Sequence, residues 1–402
     1  MANSILTIDM ITKECLRLAH EKASFLGTIN REFDASYRGD GKIGDTLRIR
    51  KPAQYTRRQG SRVMDVQDAG EQQVSLVTAT QDGVDMRFNS RELALDLTNF
   101  SKQHLEPAMA VLVSGIESDV LQGCTKAVSQ LAGTASTVPS DLAAVGAARA
   151  KMNQQLAPKD GQRFVQMDSV TMGTMVNGLK GLFQDSNQIK EQYREGMIGR
   201  TAMADFYENE RIWTMANSSD VTGVTLNTYT VVDGDSDLSI TGASAAPAVG
   251  MVFTIAGVYD CHPETKAPYP HLKQFVVTND TAPTTAAITI SPTIYLTGAR
   301  KNVCDSAGAD VSPSTTAALT FVGSASTSYA QNLMYHKDAF TFAVGELPLM
   351  ADASKCVVQT YDGLSLRVWQ ASDIRNDELL TRIDILYGYK AIRPEWACRI
   401  TS

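Results

Sequence analysis

No stretch of this 402-residue chain approaches the run of about 20 apolar residues that a bilayer-crossing helix needs, so no membrane partner is expected. The N-terminus, MANSILTIDMITKE, has no basic n-region and no small-residue cleavage site, so no secretory leader is expected. The six cysteines (Cys15, Cys124, Cys261, Cys304, Cys356, Cys398) show no paired spacing, which favours reduced, buried thiols in a cytoplasmic protein over a disulfide framework. Basic clusters are missing too. The 37 Lys and Arg are scattered among 44 Asp and Glu, for a formal charge of −7. A dedicated nucleic-acid binder is therefore disfavoured, because its affinity comes from clustered cations on phosphates. Finally there is no G-x-S-x-G, no P-loop, no H-E-x-x-H and no C-x-x-C, and the five His do not cluster. The expected catalytic, cofactor-binding and metal residues are accordingly none, and the chain reads as structural rather than catalytic.

What is present is a sequence of contrasting segments. Residues 7–26 read as an amphipathic helix, with Ile8, Ile11, Cys15, Leu18 and Ala19 at helical spacing. A glycine-rich stretch, Gly39 to Gly44, precedes an alternating strand, Asp45 to Arg50, stopped by Pro52. A second alternating run leads from Gln73 through Thr80 to Phe88. The two make a long hairpin whose polar tip carries Arg57, Arg58 and Arg62 around Gly60. Such an arm has too little apolar surface for a core of its own and is expected to rest on something else. From Glu92 to Leu131 the period becomes helical, with Leu105, Met109, Leu112, Ile116, Val120, Cys124 and Val128 in one stripe. Ser140 is expected to cap a helix running to Leu156, with a strand at Arg163–Met167 and a helix at Thr171–Phe183. At Ser218 the chain turns rich in Thr, Ser, Ala, Gly and Val. Short strand-like runs follow at 224–232, 252–258, 274–278, 287–290 and 318–322, separated by turn signals including Ser291-Pro292. That composition predicts an inserted all-β barrel or sandwich. The α/β pattern resumes near Leu333, with strands at 339–344, 364–370 and 382–389.

Several motif-like patterns fail on context. Gly39 to Gly44 fits G-x-G-x-x-G, but a strand follows where a phosphate-binding helix is required, so it reads as a hinge. Cys261, His262, His271 and Cys304 lack compact zinc spacing and read as loop and core residues. Asp233, Asp235 and Asp237 begin like a calcium loop, yet Leu238 and Ser244 stand where Gly and Glu belong, so they read as a solvated acidic loop.

The segment Gln192 to Ile212, QYREGMIGRTAMADFYENERI, reads as a helix end, a glycine turn at Gly196 and Gly199, and a short strand at Asp205-Phe206-Tyr207. It resembles a signature of viral shell proteins. Resemblance extends, in the same order, to KIGDTLRIRKP (Lys42 to Pro52), NFSKQHLEPAMAVL (Asn99 to Leu112), Leu156 to Phe183, Gly250 to Val258, Lys266 to Val277 and Tyr387 to Glu395. Together these resemble the HK97-fold major capsid proteins of tailed phages, and most closely the P22-type coat family.

The resemblance implies an α+β HK97-like capsid fold: an N-terminal arm (1–37), an E-loop hairpin (38–88), a P domain with a long spine helix (89–138), an A domain (139–217), an inserted β-barrel domain (218–330) and an A/P return (331–402). It implies hexamers and pentamers closing an icosahedral shell around double-stranded DNA, which is enclosed rather than bound by sequence. A scaffolding protein and a portal are the further partners, with assembly in the host bacterial cytoplasm and residence in the virion. Arg57, Arg58 and Arg62 become candidates for contact with acids of a neighbouring subunit. Asp233, Asp235 and Asp237 become candidates for a contact through the insertion, with Lys266 or Arg300 as basic partners, and the loop at 187–199 would converge on the capsomer centre. An encapsulin-like compartment shell, a decoration protein, a tail component or an enzyme with an unrecognised site are the alternatives.

Overall fold

The computed structural model describes residues 11–17, 24–37, 46–58, 60, 62–64, 66–67, 70–89, 104–179, 200–219, 222–228, 230–278, 283–311, 313–349, 355–361 and 364–402. The Gly39–Gly44 hinge and the 187–199 loop lie outside them. The chain forms two compact units, one of Met1–Ile49, Val74–Val120 and Phe340–Ile392, the other of Arg50–Gln73, Leu121–Ala339 and Arg393–Ser402.

Residues 11–17 are helical, but the expected helix does not reach Leu26, because residues 24–29 form bends and turns. The Phe25 N–H, which a continuing helix would direct to a carbonyl four residues back, donates instead to the buried Glu117 carboxylate at 2.6 Å, joined there by the Ser24 hydroxyl at 2.7 Å. Strands β1 (Thr46–Lys51) and β2 (Gln72–Val77) pair as a two-stranded ribbon. The run that continues from β2 is not part of that ribbon. After a break at residues 78–79 it becomes β3 (Thr80–Asn89), which pairs with a strand near the C-terminus.

Helix α1 (Glu106–Lys126) is about 32 Å long at roughly 1.5 Å per residue. Pro107 sits in its first turn, where no N–H is missed. Every member of the predicted stripe is buried, although Val128 lies beyond the helix end. After β4 (Leu131–Ala132) comes α2 (Ala143–Gln154), whose start is capped differently from expectation. The Asp141 carboxylate, not Ser140, accepts the Ala143 N–H at 2.9 Å. Then follow β5 (Arg163–Met167), α3 (Ser169–Leu179), β6 (Arg200–Thr201), β7 (Ala204–Glu208) and β8 (Thr214–Ala216).

Seven strands come next: β9 (Thr225–Leu226), β10 (Asp235–Thr241), β11 (Val252–Cys261), β12 (Pro268–Val277), β13 (Ala287–Ile294), β14 (Val303–Cys304) and β15 (Leu319–Phe321). Six of them close into an antiparallel ring. The pairs run β11–β12, β12–β13, β13–β10 and β10–β9, then pass from β9 to the β15 segment through the Thr225–Ala318 bridge, and return from β15 to β11. Phe253, Ile255, Phe275, Val277, Leu238, Ile240, Leu226 and Leu319 fill the interior. Asp233, Asp235 and Asp237 are expected in a solvated acidic loop, yet Asp235–Thr241 forms β10. It is a strand because Leu238 and Ile240 alternate into that core while its polar residues face outward. Ser291-Pro292 does not end a strand; it lies inside β13.

The chain continues through β16 (Ser328–His336), β17 (Phe340–Gly345), β18 (Lys355–Tyr361), β19 (Leu364–Asp373), β20 (Glu378–Ala391) and β21 (Ala397–Thr401). In the first unit β17, β20, β19 and β18 form a sheet with β3 added along β20. The buried face of α1, through Met109, Leu112 and Ile116, meets Leu364, Leu366 and Ile385 of that sheet. Glycine is required at Gly388 in β20, where a Cβ would come within 2.1 Å of the Val77 carbonyl oxygen. In the second unit a mixed sheet runs β4-β21-β16-β5-β7-β6, with β8 paired to β16. The β8–β16 pairing sets the chain entering the barrel beside the chain leaving it, Ala216 opposite Ser328.

Candidate functional site: contact surfaces and the groups that hold them

The ribbon tip is held by its own side chains. The Gln67 amide closes the loop as a short piece of artificial ladder. Its Nε2 donates to the Thr56 carbonyl and its Oε1 accepts the Thr56 N–H, both at 2.8 Å. Arg57, Arg58 and Arg62 are all exposed, and the Arg58 guanidinium donates to the Val63 carbonyl. Gly60 turns the tip with φ +77°, in open space. Beside the arginines stand four exposed apolar side chains that composition alone did not single out: Tyr55, Val63, Met64 and Val66 are 60–79% accessible. A polar, basic tip carrying this much uncovered apolar surface has the makings of a contact surface.

Asp233, Asp235 and Asp237 are not gathered into one acidic loop. The Asp233 carboxylate accepts the backbone N–H of Leu296 at 2.7 Å and of Thr297 at 3.1 Å, tying the turn before β10 to the end of β13. Asp235 accepts the Val232 N–H at 3.5 Å, and Asp237 accepts the Thr289 hydroxyl at 2.7 Å across the β10–β13 pair. Lys266 does not meet them. Its ammonium donates to the carbonyls of Pro263, Ala299 and Lys301 at 2.6–3.0 Å. Arg300 lies over the Tyr295 ring, 5.6 Å from its centroid.

Cys261 and Cys304 lie side by side where β11 pairs with β14, whereas His262 and His271 turn to other partners. The Cys261 thiol faces the Lys301 carbonyl and Cys304 the Asp260 carbonyl; burial raises both thiols, Cys261 to about 11. His262 accepts backbone N–H groups from Glu264 and Thr265. Among the described residues no group of three or more His, Cys, Asp or Glu is placed to hold a metal ion.

Residues 192–199 of the glycine-bearing segment lie outside the description, and the part that is described turns without glycine. β6 and β7 form a hairpin with Thr201 opposite Ala204, and Ala202 and Met203 hold the two turn positions at φ +51° and +64°.

Buried charged groups that no local motif marks are brought to their partners by the fold. Asp260 on β11 meets Lys273 of β12 at 2.8 Å, Gln155 beyond α2 at 2.9 Å and the His271 ring at 3.6 Å. Burial alone would raise this carboxyl, but the Lys273 ammonium and His271 outweigh it and hold the group below its ordinary value. Arg399 on β21 is completely buried, and its guanidinium donates to the Gly250 carbonyl at 2.7 Å and the Lys126 carbonyl at 3.1 Å. The cation thereby sits at the C-terminal end of α1, where the helix dipole favours it. Gly250 itself has φ +95°, and a Cβ there would approach the Trp213 ring to 2.6 Å. The one sequence signal was a cation inside the short apolar strand Ala397–Thr401.

Comparison with known proteins agrees with this architecture. The family model described as P22 coat protein, gene protein 5, matches residues 40–399. Among solved structures, one from Mycobacterium phage Che8 aligns with a TM-score of 0.51 at 12% identity, covering 94% of this chain and 90% of that one. The capsid of Ralstonia phage GP4 aligns at 0.47 and 8% identity over 93% and 87%. The capsid of cyanophage P-SCSP1u aligns at 0.43 and 10% over 89% and 83%. No curated protein sequence matches the chain. An α+β fold of HK97-like kind, shared over almost the whole length with a phage chain, joins a family match that covers both units. On these grounds the chain belongs to the P22 coat protein family and is a phage major capsid protein, which assembles with its own copies into the virion shell.

Proposed function

We propose that copies of this chain form hexamers and pentamers of an icosahedral shell that encloses double-stranded DNA, with the ribbon tip laid on a neighbouring subunit. The single observation that carries this reading is the tip itself. Arg57, Arg58 and Arg62 stand among exposed Tyr55, Val63, Met64 and Val66 on a two-stranded ribbon. A two-stranded ribbon is marginal alone, and a closed shell needs heterologous contacts between different patches of the same chain. The domain division 1–37, 38–88, 89–138, 139–217, 218–330 and 331–402 belongs to this proposal. The closed barrel and the side-by-side entry and exit at Ala216 and Ser328 support the insertion within it. The proposal further includes the role as a structural subunit rather than an enzyme, a scaffolding protein and a portal as partners, assembly in the host bacterial cytoplasm, and outward contact through the barrel segment that bears Asp233, Asp235 and Asp237. An excess of acid over base in the chain suits a wall that does not stick to packaged DNA.

The test is the double substitution Arg57→Glu with Arg58→Glu. Both side chains are exposed, so the variant is expected to fold normally by circular dichroism yet yield few shells in negative-stain microscopy. Particles in normal number and form would overturn the role of the tip.

A further inference from the structure

A cleft of about 690 Å³ in the second unit is lined by six basic side chains, Lys51, Lys266, Lys273, Arg300, Lys301 and Arg393, against two acids, Glu264 and Glu395. Two of the six are neutralised. Lys273 is paired with Asp260 at 2.8 Å and Lys301 with Asp310 at 2.7 Å. The other four have no carboxylate at ion-pair distance among the described residues. Lys266 is half-buried among carbonyls, and burial together with the nearby Lys301 ammonium lowers its pKa. Arg393 lies over Trp396 at 4.2 Å, which sets its plane, and Arg300 lies over Tyr295 at 5.6 Å, with only long contacts from its N–H groups to the Tyr295 hydroxyl at 3.5 Å and the Gly70 carbonyl at 3.4 Å, which a charged acceptor can displace. Uncompensated cations in a concavity focus a positive field. A stacked guanidinium presents a fork that fits a carboxylate.

The size decides between anions. Clefts of roughly 300–1,000 Å³ admit a small ligand or a few side chains. A duplex, whose major groove alone is about 12 Å wide, does not enter such a space. The chain carries 44 acidic residues against 37 basic, so the surface that a neighbouring copy brings is richer in carboxylates than in cations. We propose that this cleft receives a carboxylate-bearing segment of a second copy of the chain, making a subunit contact distinct from the ribbon tip. This rests on the reading of the chain as a shell subunit, and it deepens that reading by giving the assembly a second, electrostatic socket.

The experiment uses the unassembled full-length chain and a fluorescein-labelled hexaglutamate peptide, read by anisotropy, with a labelled 20-base-pair duplex as the second probe. The peptide is expected to bind, to weaken by more than tenfold in the Arg300→Glu/Arg393→Glu double variant, and, unlabelled, to slow shell formation followed by light scattering. The Lys51→Gln variant, which leaves the stacked pairs untouched, is expected to weaken peptide binding about threefold and covers the case in which the double variant does not fold. Absence of peptide binding overturns the proposal. Tighter binding of the duplex than of the peptide overturns it in favour of nucleic acid. Peptide binding with shell formation unchanged overturns the second-copy assignment. Because the binding arm is read before assembly, a chain that binds the peptide but never forms shells counts against the shell reading and not against the anion site.

Discussion

Arg367 and Asp384 stand directly opposite each other on β19 and β20 and form an ion pair of 2.6 Å, with both side chains at least 95% buried. The second Asp384 oxygen accepts from Arg382 at 2.8 Å, so one carboxylate holds two guanidiniums in the sheet that carries α1. Removing the carboxylate strands a buried cation. Asp384→Asn is expected to lower stability by about 3 kcal/mol, the scale on which broken buried pairs fall. Urea unfolding followed by circular dichroism checks this, and a loss below about 0.5 kcal/mol, the range of neutral surface changes, would contradict it.

The Asp260 carboxylate pairs with Lys273 within the barrel and accepts from Gln155 beyond α2, which makes this contact acid-sensitive. Its carboxyl is held below the ordinary value, so the stability it supplies is present above about pH 4, the usual unfolded aspartate range, and is lost as pH falls through the lower folded value. Asp260→Asn is expected to cost about 3 kcal/mol at pH 7 by leaving Lys273 buried and unpaired. In urea titrations at decreasing pH, the gap between native and variant chains should close below about pH 4. A gap that stays constant to pH 2 would show that the pair has no such role.

Arg399 reaches two carbonyls on different segments from its two separate terminal nitrogens, a planar spread that a point-like ammonium at this position lacks. Arg399→Lys is therefore expected to destabilise nearly as much as Arg399→Met, each by about 2–3 kcal/mol, since charge-assisted hydrogen bonds contribute on that scale. Full stability in the lysine variant would mean that charge alone suffices at the end of α1.

Ile374, at the turn between β19 and β20, is 96% exposed. Its replacement by Asp is expected to leave unfolding within about 0.5 kcal/mol of the native chain, while shell yield by sedimentation falls severalfold. An unchanged yield would remove this turn from the set of subunit contacts.

Much of the helical content was readable because burial of one face writes a period into the sequence. Met109, Leu112, Ile116 and Val120 mark α1 without reference to any partner. Strands were readable in part, as in β11 and in the first half of β13, beyond which Ser291-Pro292 reads as a turn. Asp235–Thr241 was hidden because its acids dominate the composition, although Leu238 and Ile240 carried the alternation. Lys355–Tyr361 was missed because its described side chains are only part-buried and write no strong pattern. The fate of the run after Val77 depends on pairing with a strand some three hundred residues later, Phe88 opposite Leu379, which no local pattern encodes. The same holds for the contact surfaces. The tip arginines were visible as near neighbours in the sequence, whereas Arg300 and Arg393 of the basic cleft are brought together only by the fold.

Closure of the six-strand ring through the Thr225–Ala318 bridge matters for a protein made to meet its own copies at high concentration. An open sheet in that position would offer a free row of N–H and C=O groups, and every neighbouring copy would offer the same row, so edges would zip together in arrangements that no lattice can use. A closed ring has no such row along its paired strands. Backbone pairing is thereby withheld from accidental association in the barrel, and the choice of neighbour passes to side chains, which can discriminate between a correct and an incorrect register.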